Sequence, residues 1–310
     1  MLSRRSVRIK VMQLLFALGR DEKLSLDAVS KRYNELIDHS FEMTLFNLYI
    51  LIKVAEKSED DQVKRNSKHL PSEYDKQFSA ILYHNEITTN LAENENLEKF
   101  FKTHEFEEKI DEDIISKIYK EFSNTDIYKD YIALKDKDAA AHTALLLELS
   151  KSIRKNEHFT EMVEDYYTNW FDDSSLVIGS LKKIIKALPL QGKFYRQYYP
   201  DDETVAFGKE LLHRTVLEDS DFHDLIEPAL KNWDSERLAI IDMILLKMAL
   251  CEFTGFPTVP TKVSLNEYVE VAKMYSTPKS KDFINGILDR LMKQLEADGK
   301  IKKEGRGLIS

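Results

Sequence analysis

Apolar residues recur along this chain at spacings of three and four, the rhythm of helices that bury one face. Clear stretches are Ile114, Ile115, Ile118, Tyr119 and Phe122, then Leu238, Ile241, Leu245, Met248 and Ala249. A last stripe, Phe283, Ile287, Leu291 and Leu295, keeps a strict spacing of four. Between Ser72 and Ile178 there is no glycine and no proline, and few β-rich folds omit both turn formers for so long. Polar connectors such as residues 57–68 and 135–137 separate the periodic segments. Glu107, Glu108, Asp111, Glu112 and Asp113 suit a solvated helix start or face. The pattern predicts an all-α protein.

A weak internal repeat overlays this pattern. Phe159 to Trp170 (FTEMVEDYYTNW) aligns with Phe222 to Trp233 (FHDLIEPALKNW). With one extra residue allowed at Phe171, the alignment continues through Ala187-Leu188 and Ala249-Leu250. Either amphipathic helices simply resemble one another or the chain carries a decayed duplication, which the shared Asn-Trp followed by an acidic residue favours. Nothing like Asn266-Glu267 follows Leu188, so a first copy would serve as scaffold. Pro189, Gly192, Pro200 and the aromatic run Phe194 to Tyr199 mark a boundary, and a compact C-terminal unit is expected to begin near Asp201.

Within that unit two polar signatures interrupt the helices: Ser264-Leu265-Asn266-Glu267 and Asp282-Phe283-Ile284-Asn285-Gly286. Asn and Gly each cost a helix interior up to about 1 kcal/mol against Ala. Trp233-Asp234-Ser235-Glu236 opens one expected helix, and Glu252-Phe253 closes it before Gly255 and Pro257. Pro260 forces an extended approach to the next. Ser264 and Glu267 have the spacing of a capping box for that helix, which leaves Asn266 and Lys273 unexplained. Gly286 lies beside the last apolar stripe, where it suits close helix contact. Asn285 is placed to bond a neighbouring loop or an external ligand, and the loop Tyr275 to Lys281 is polar and basic.

Composition narrows the function. A net charge of −9 over 310 residues argues against nucleic-acid binding across the whole surface. The first twenty residues nevertheless hold Arg4, Arg5, Arg8, Lys10 and Arg20 with no acidic residue. Such a cluster is either a solubilising terminus or a focused phosphate-binding patch, for which arginine's planar fork is suited. Val11, Leu14, Leu15 and Leu18 follow as an apolar face, which places the arginines on a docked helix. A single cysteine, Cys251, fits a reducing compartment. The most apolar run, Leu45 to Val54, is too short to span a bilayer, so a cytoplasmic protein without membrane contact is expected. No Gly-rich phosphate loop, nucleophile elbow or metal-ligand spacing occurs, so neither an enzyme nor a cofactor or metal site is expected.

Taken together, these motifs resemble the NusB family. The resemblance rests on Arg4-Arg5-x-x-Arg8 with Gln13-Leu14-Leu15-Phe16, on Phe207-Gly208-x-Glu210-Leu211, on Asn232-Trp233 with Glu236-Arg237-Leu238, and on Glu252. It continues through Pro260-x-x-Val263, Asn266-Glu267-x-x-Glu270-x-Ala272-Lys273, and Phe283 to Asp289. The resemblance implies NusB-like helical bundles with a large additional helical insertion. Residues 1–20 would be the basic N-terminal helix, 21–200 the extra helical region, 201–296 the family-like core, and 297–310 a basic, disordered tail. It also implies an RNA-binding transcription antitermination factor that recognises boxA-type RNA in ribosomal RNA leaders together with the ribosomal protein NusE. Other Nus factors and RNA polymerase would be indirect partners. Carried over by position, Arg4, Arg5 and Arg8 would contact RNA phosphates, and Lys273, Lys279, Lys281, Phe283 and Asn285 would lie at or near the RNA, although Phe283 also fits the core. Glu236 and Asp242 would face the NusE-like partner. Lys279 stands where some relatives carry an acidic residue. A protein-only helical adaptor is the alternative. An RNA-modifying enzyme carrying this domain is disfavoured by the lack of a Gly-rich βαβ pattern.

Overall fold

The structure, a computed structural model, describes residues 2–230 and 239–305. Among these residues it is helical with no β-strand. The helices are α1 (Arg4–Arg20), α2 (Leu26–Asn66), α3 (Glu73–Gln77), α4 (Glu86–Ala92), α5 (Glu95–Thr103), α6 (Glu112–Ser123), α7 (Asp126–Ala133) and α8 (Ala139–Ile153). They continue with α9 (Glu157–Glu164), α10 (Trp170–Ala187), α11 (Asp202–Leu217), α12 (Asp219–Ile226), α13 (Ile240–Gly255), α14 (Thr261–Tyr275) and α15 (Ser280–Ala297). The chain forms two compact units: residues 38–199, and residues 2–37 together with those from 200 onward. No helix among the described residues is long and apolar enough to cross a membrane.

The unit of residues 38–199 is organised on α2. Phe41, Met43, Leu45, Phe46, Leu48, Ile50, Leu51 and Val54 are all buried, so this stretch is apolar on every side and lies within the core. The most apolar run of the chain is therefore a core helix. Its one amide, Asn47, is satisfied by the Met43 carbonyl at 2.9 Å. The stretch without glycine or proline starts all its α-helices but α10 with side-chain caps. Asn85, Asn94, Asp111, Thr125, Asp138 and Asn156 each accept from amides of the first turn they precede. One turn also needs a positive φ, and Glu105 supplies it at 52°. The repeat follows core positions: Phe159 and Phe222, and Val163 and Ile226, are buried alike.

The second unit is built around α13. Leu245, Leu246, Met248, Ala249, Leu250, Cys251 and Phe253 are buried on all its sides, and α1, α11, α12, α14 and α15 pack against it. This is broader than the single stripe read from the sequence. Burial also pushes the Cys251 thiol up to about 12. The helix expected to open at Trp233 to Glu236 begins at Ile240, after an extended Ala239; Asn232, Trp233 and Glu236 lie outside the described residues. Helix α11 crosses α1 and the start of α2 at Gly208. A Cβ there would stand 2.2 Å from both the Tyr33 hydroxyl and the Val7 side chain. Gly208→Ala is therefore expected to destabilise the protein by about 1–3 kcal/mol, read as a lower urea midpoint with an unchanged denaturant slope.

Of the tail expected to be disordered, residues 298–305 are described and dock on α13 and the loop after it, and residues 306–310 lie outside the described residues. The Lys303 ammonium donates to the Glu252 and Phe256 carbonyls at 3.0 and 2.9 Å, and the Glu304 amide bonds to the Pro257 carbonyl. It thereby satisfies carbonyls at the C-terminal end of α13. Burial, opposed by the charge of Glu252, pushes Lys303 down to about 8.

Candidate nucleic-acid interface

The three N-terminal arginines sit on the first two turns of α1, and each meets a carboxylate far away in sequence. Arg8 is buried, and its Nε and Nη2 donate to the two oxygens of Glu252 at 2.6 and 2.8 Å. Ser264 donates to the same carboxylate at 2.6 Å and Tyr268 donates to its other oxygen. The guanidinium also stacks over Phe207 and Tyr268 at 5.1 and 5.8 Å. Burial by itself lowers the Arg8 pKa, but the hydrogen bonds and charge of Glu252 outweigh it and raise it. Arg8, expected to contact RNA phosphates, instead has its donors turned to a buried partner and fastens α1 to α13.

Arg5 lies further out. Its Nε and Nη2 form a two-point bond to Glu267, both at 2.8 Å, and its side chain is 45% exposed. The hydrogen bonds from Arg5 hold the Glu267 carboxyl below its ordinary range despite partial burial. Arg4 pairs with the exposed Glu203 and lies 5.3 Å from the Phe207 ring. The arginines thus form a series, from Arg8 fully engaged to Arg4 and Arg5 open to solvent beside their carboxylates.

The capping box is also corrected. Helix α14 starts at Thr261 after Pro260, so Ser264 and Glu267 lie inside it. Ser264 completes the Glu252 cluster and Glu267 holds Arg5, uses that spacing alone could not reveal. Asn266 is exposed next to Glu267, and Lys273 is exposed and pairs with Glu270 one turn away.

Helix α14 packs along α15, and the start of α15 is where unengaged polar groups collect. Lys279, Lys281 and Asn285 are exposed, and their side chains make no hydrogen bond or ion pair among the described residues. Lys281 and Asn285 are one turn apart and share a face. Phe283 points the other way and is buried with Ile284, Ile287 and Leu288, so its role is in the core. Asp242 likewise differs from the partner-facing residue expected. It is buried at 4% exposure, and its oxygens accept from the Ser276 and Ser280 hydroxyls at 2.6 and 2.7 Å. A carboxylate at that position favours the positive end of α15. Glu236, the other expected partner contact, lies outside the described residues. Gly286, expected to permit helix contact, is exposed, and a Cβ there meets nothing within 4 Å.

These features define an all-helical protein with no strand among its described residues, in which Arg4 and Arg5 on α1, Asn266 and Lys273 on α14, and Lys279, Lys281 and Asn285 at the start of α15 reach solvent. A family model described as the NusB family matches residues 179–293. Transcription antitermination protein NusB of Salinibacter ruber is 41% identical over 109 residues, 35% of this chain and 68% of that protein. The protein of the same name from Chloroherpeton thalassium is 44% identical over 93 residues, 30% of this chain and 43% of its own. That of Koribacter versatilis is 37% identical over 102 residues, 33% of this chain and 70% of its own. No solved structure matches the chain significantly. The chain belongs to the NusB family. The family match takes in α11 to most of α15 and leaves most of the unit of residues 38–199 outside it.

Proposed function

We propose that this protein is a non-catalytic, cytoplasmic RNA-binding transcription antitermination factor that recognises boxA-type RNA in ribosomal RNA leaders together with the ribosomal protein NusE. Other Nus factors and RNA polymerase are its indirect partners. The observation that carries the reading is the start of α15 in a NusB-family chain: Lys279, Lys281 and Asn285 stand exposed without an intramolecular partner among the described residues. Lysines there suit phosphates as point charges, and an asparagine amide both donates to and accepts from a base edge. Arg4 and Arg5 extend the face, exchanging the exposed Glu203 and the part-buried Glu267 for phosphates as RNA arrives. Lys273 adds charge beside Glu270. Arg8, Phe283 and Asp242 support this face from within the fold.

The test is a gel-shift titration of the full chain with boxA-type and scrambled single-stranded RNA. Tighter binding of the boxA-type RNA supports the reading, and equal affinity for both rejects it. The protein-only adaptor would leave both RNAs unbound.

A further inference from the structure

We infer that Gly286 is a contact point for RNA, where one nucleotide lies directly against the backbone of α15. This rests on the RNA-binding reading above and adds a residue to it. Glycine is a poor helix former, so one in the middle of an 18-residue helix calls for a reason. At two other glycines of this unit the space a side chain would need is taken, by Tyr33 and Val7 at Gly208 and by Arg214 at Gly255. At Gly286 no atom other than its chain neighbours and the helix's own backbone lies within 4 Å of the place a Cβ would occupy, and the residue is exposed. Neither packing nor a positive φ accounts for it.

Open space by itself does not distinguish Gly286, since Gly19 near the end of α1 and Gly179 in the middle of α10 are also unobstructed. What sets Gly286 apart is its surroundings. Asn285 is exposed beside it, Lys281 stands one turn before Asn285, and Lys279 lies at the helix start. Those lysines would hold the phosphates on either side of a nucleotide, and the Asn285 amide would bond its base or ribose edge. An unstacked nucleotide needs a smooth, shallow wall to approach that amide, and single-stranded RNA presents such nucleotides. A glycine supplies the wall, and any side chain would push the nucleotide outward.

The experiment measures fluorescence anisotropy of a labelled boxA-type single-stranded RNA titrated with the full chain. The proteins compared are wild type, Gly286→Ala, Gly286→Gln and Gly179→Ala, each also followed by thermal melting. Both Gly286 variants should melt at or above the wild-type temperature, because each improves helix propensity. Affinity should nevertheless fall about five-fold for Gly286→Ala and further for the larger Gln, as expected where added bulk creates a clash. Gly179→Ala should bind like wild type. If both Gly286 variants bind within about two-fold of wild type, the contact is refuted while the RNA-binding reading stands. If wild type itself does not prefer boxA-type over scrambled RNA, the underlying reading fails and the contact with it.

Discussion

Replacing Glu252 with Ala is expected to lower the unfolding free energy by about 3–5 kcal/mol, which would leave a domain of ordinary stability barely folded. The size follows from what would be stranded. Glu252 is fully buried and balances the charge of Arg8, itself buried, while accepting from Ser264 and Tyr268. Removing the carboxylate leaves a guanidinium inside the protein with no counter-charge at Glu252, and two hydroxyls without their acceptor. Replacing both charges together, Arg8→Met with Glu252→Leu, should recover much of the loss, because the desolvation of two ions is removed with the pair. Urea denaturation of the two single variants and the double variant reads this directly. A loss below about 1 kcal/mol for Glu252→Ala would mean that the cluster does not fasten α1 to α13.

The second large effect concerns binding. Changing Lys279 and Lys281 together to Gln is expected to weaken RNA binding about ten-fold or more at moderate salt. The dependence of log affinity on log salt should become shallower by about 1.4, from about 0.7 for each single-strand phosphate contact removed. Stability should hardly change, since both side chains are exposed and engage nothing among the described residues. Anisotropy titrations across a series of salt concentrations, with melting curves as the control, separate the two effects. An unchanged salt slope would remove these lysines from the RNA face.

Most of the fold is legible in the sequence because it depends on local rules. Helical periodicity, the long stretch without glycine or proline, and the strict spacing of Phe283, Ile287, Leu291 and Leu295 all read correctly as α-helix. The boundaries and roles that sequence misses are those fixed by distant partners. Arg8 and Arg5 look alike in sequence, yet one is buried against Glu252 and the other half-exposed against Glu267. Nothing within α1 encodes that difference, which arises from where α13 and α14 lie. Ser264 and Glu267 have ideal cap spacing, but Pro260 starts the helix earlier and frees both for tertiary contacts. Asp242 looks like a surface charge because its two hydroxyl partners lie across a helix and a loop. Exposed residues fare better: Lys273, Lys279, Lys281 and Asn285 are all at the surface, as their unexplained polarity suggests. Gly286 reads as a packing residue, since sequence shows a missing side chain but not whether anything fills its place.

The proposed RNA binding, and its strengthening by a NusE-like ribosomal protein, can be measured together. The most direct measurement is a gel-shift titration of boxA-type and scrambled RNA, each with and without the NusE-like protein. BoxA-type RNA should bind more tightly than the scrambled control, and the NusE-like protein should tighten only the former. Equal affinity for the two RNAs, with and without the partner, would contradict this.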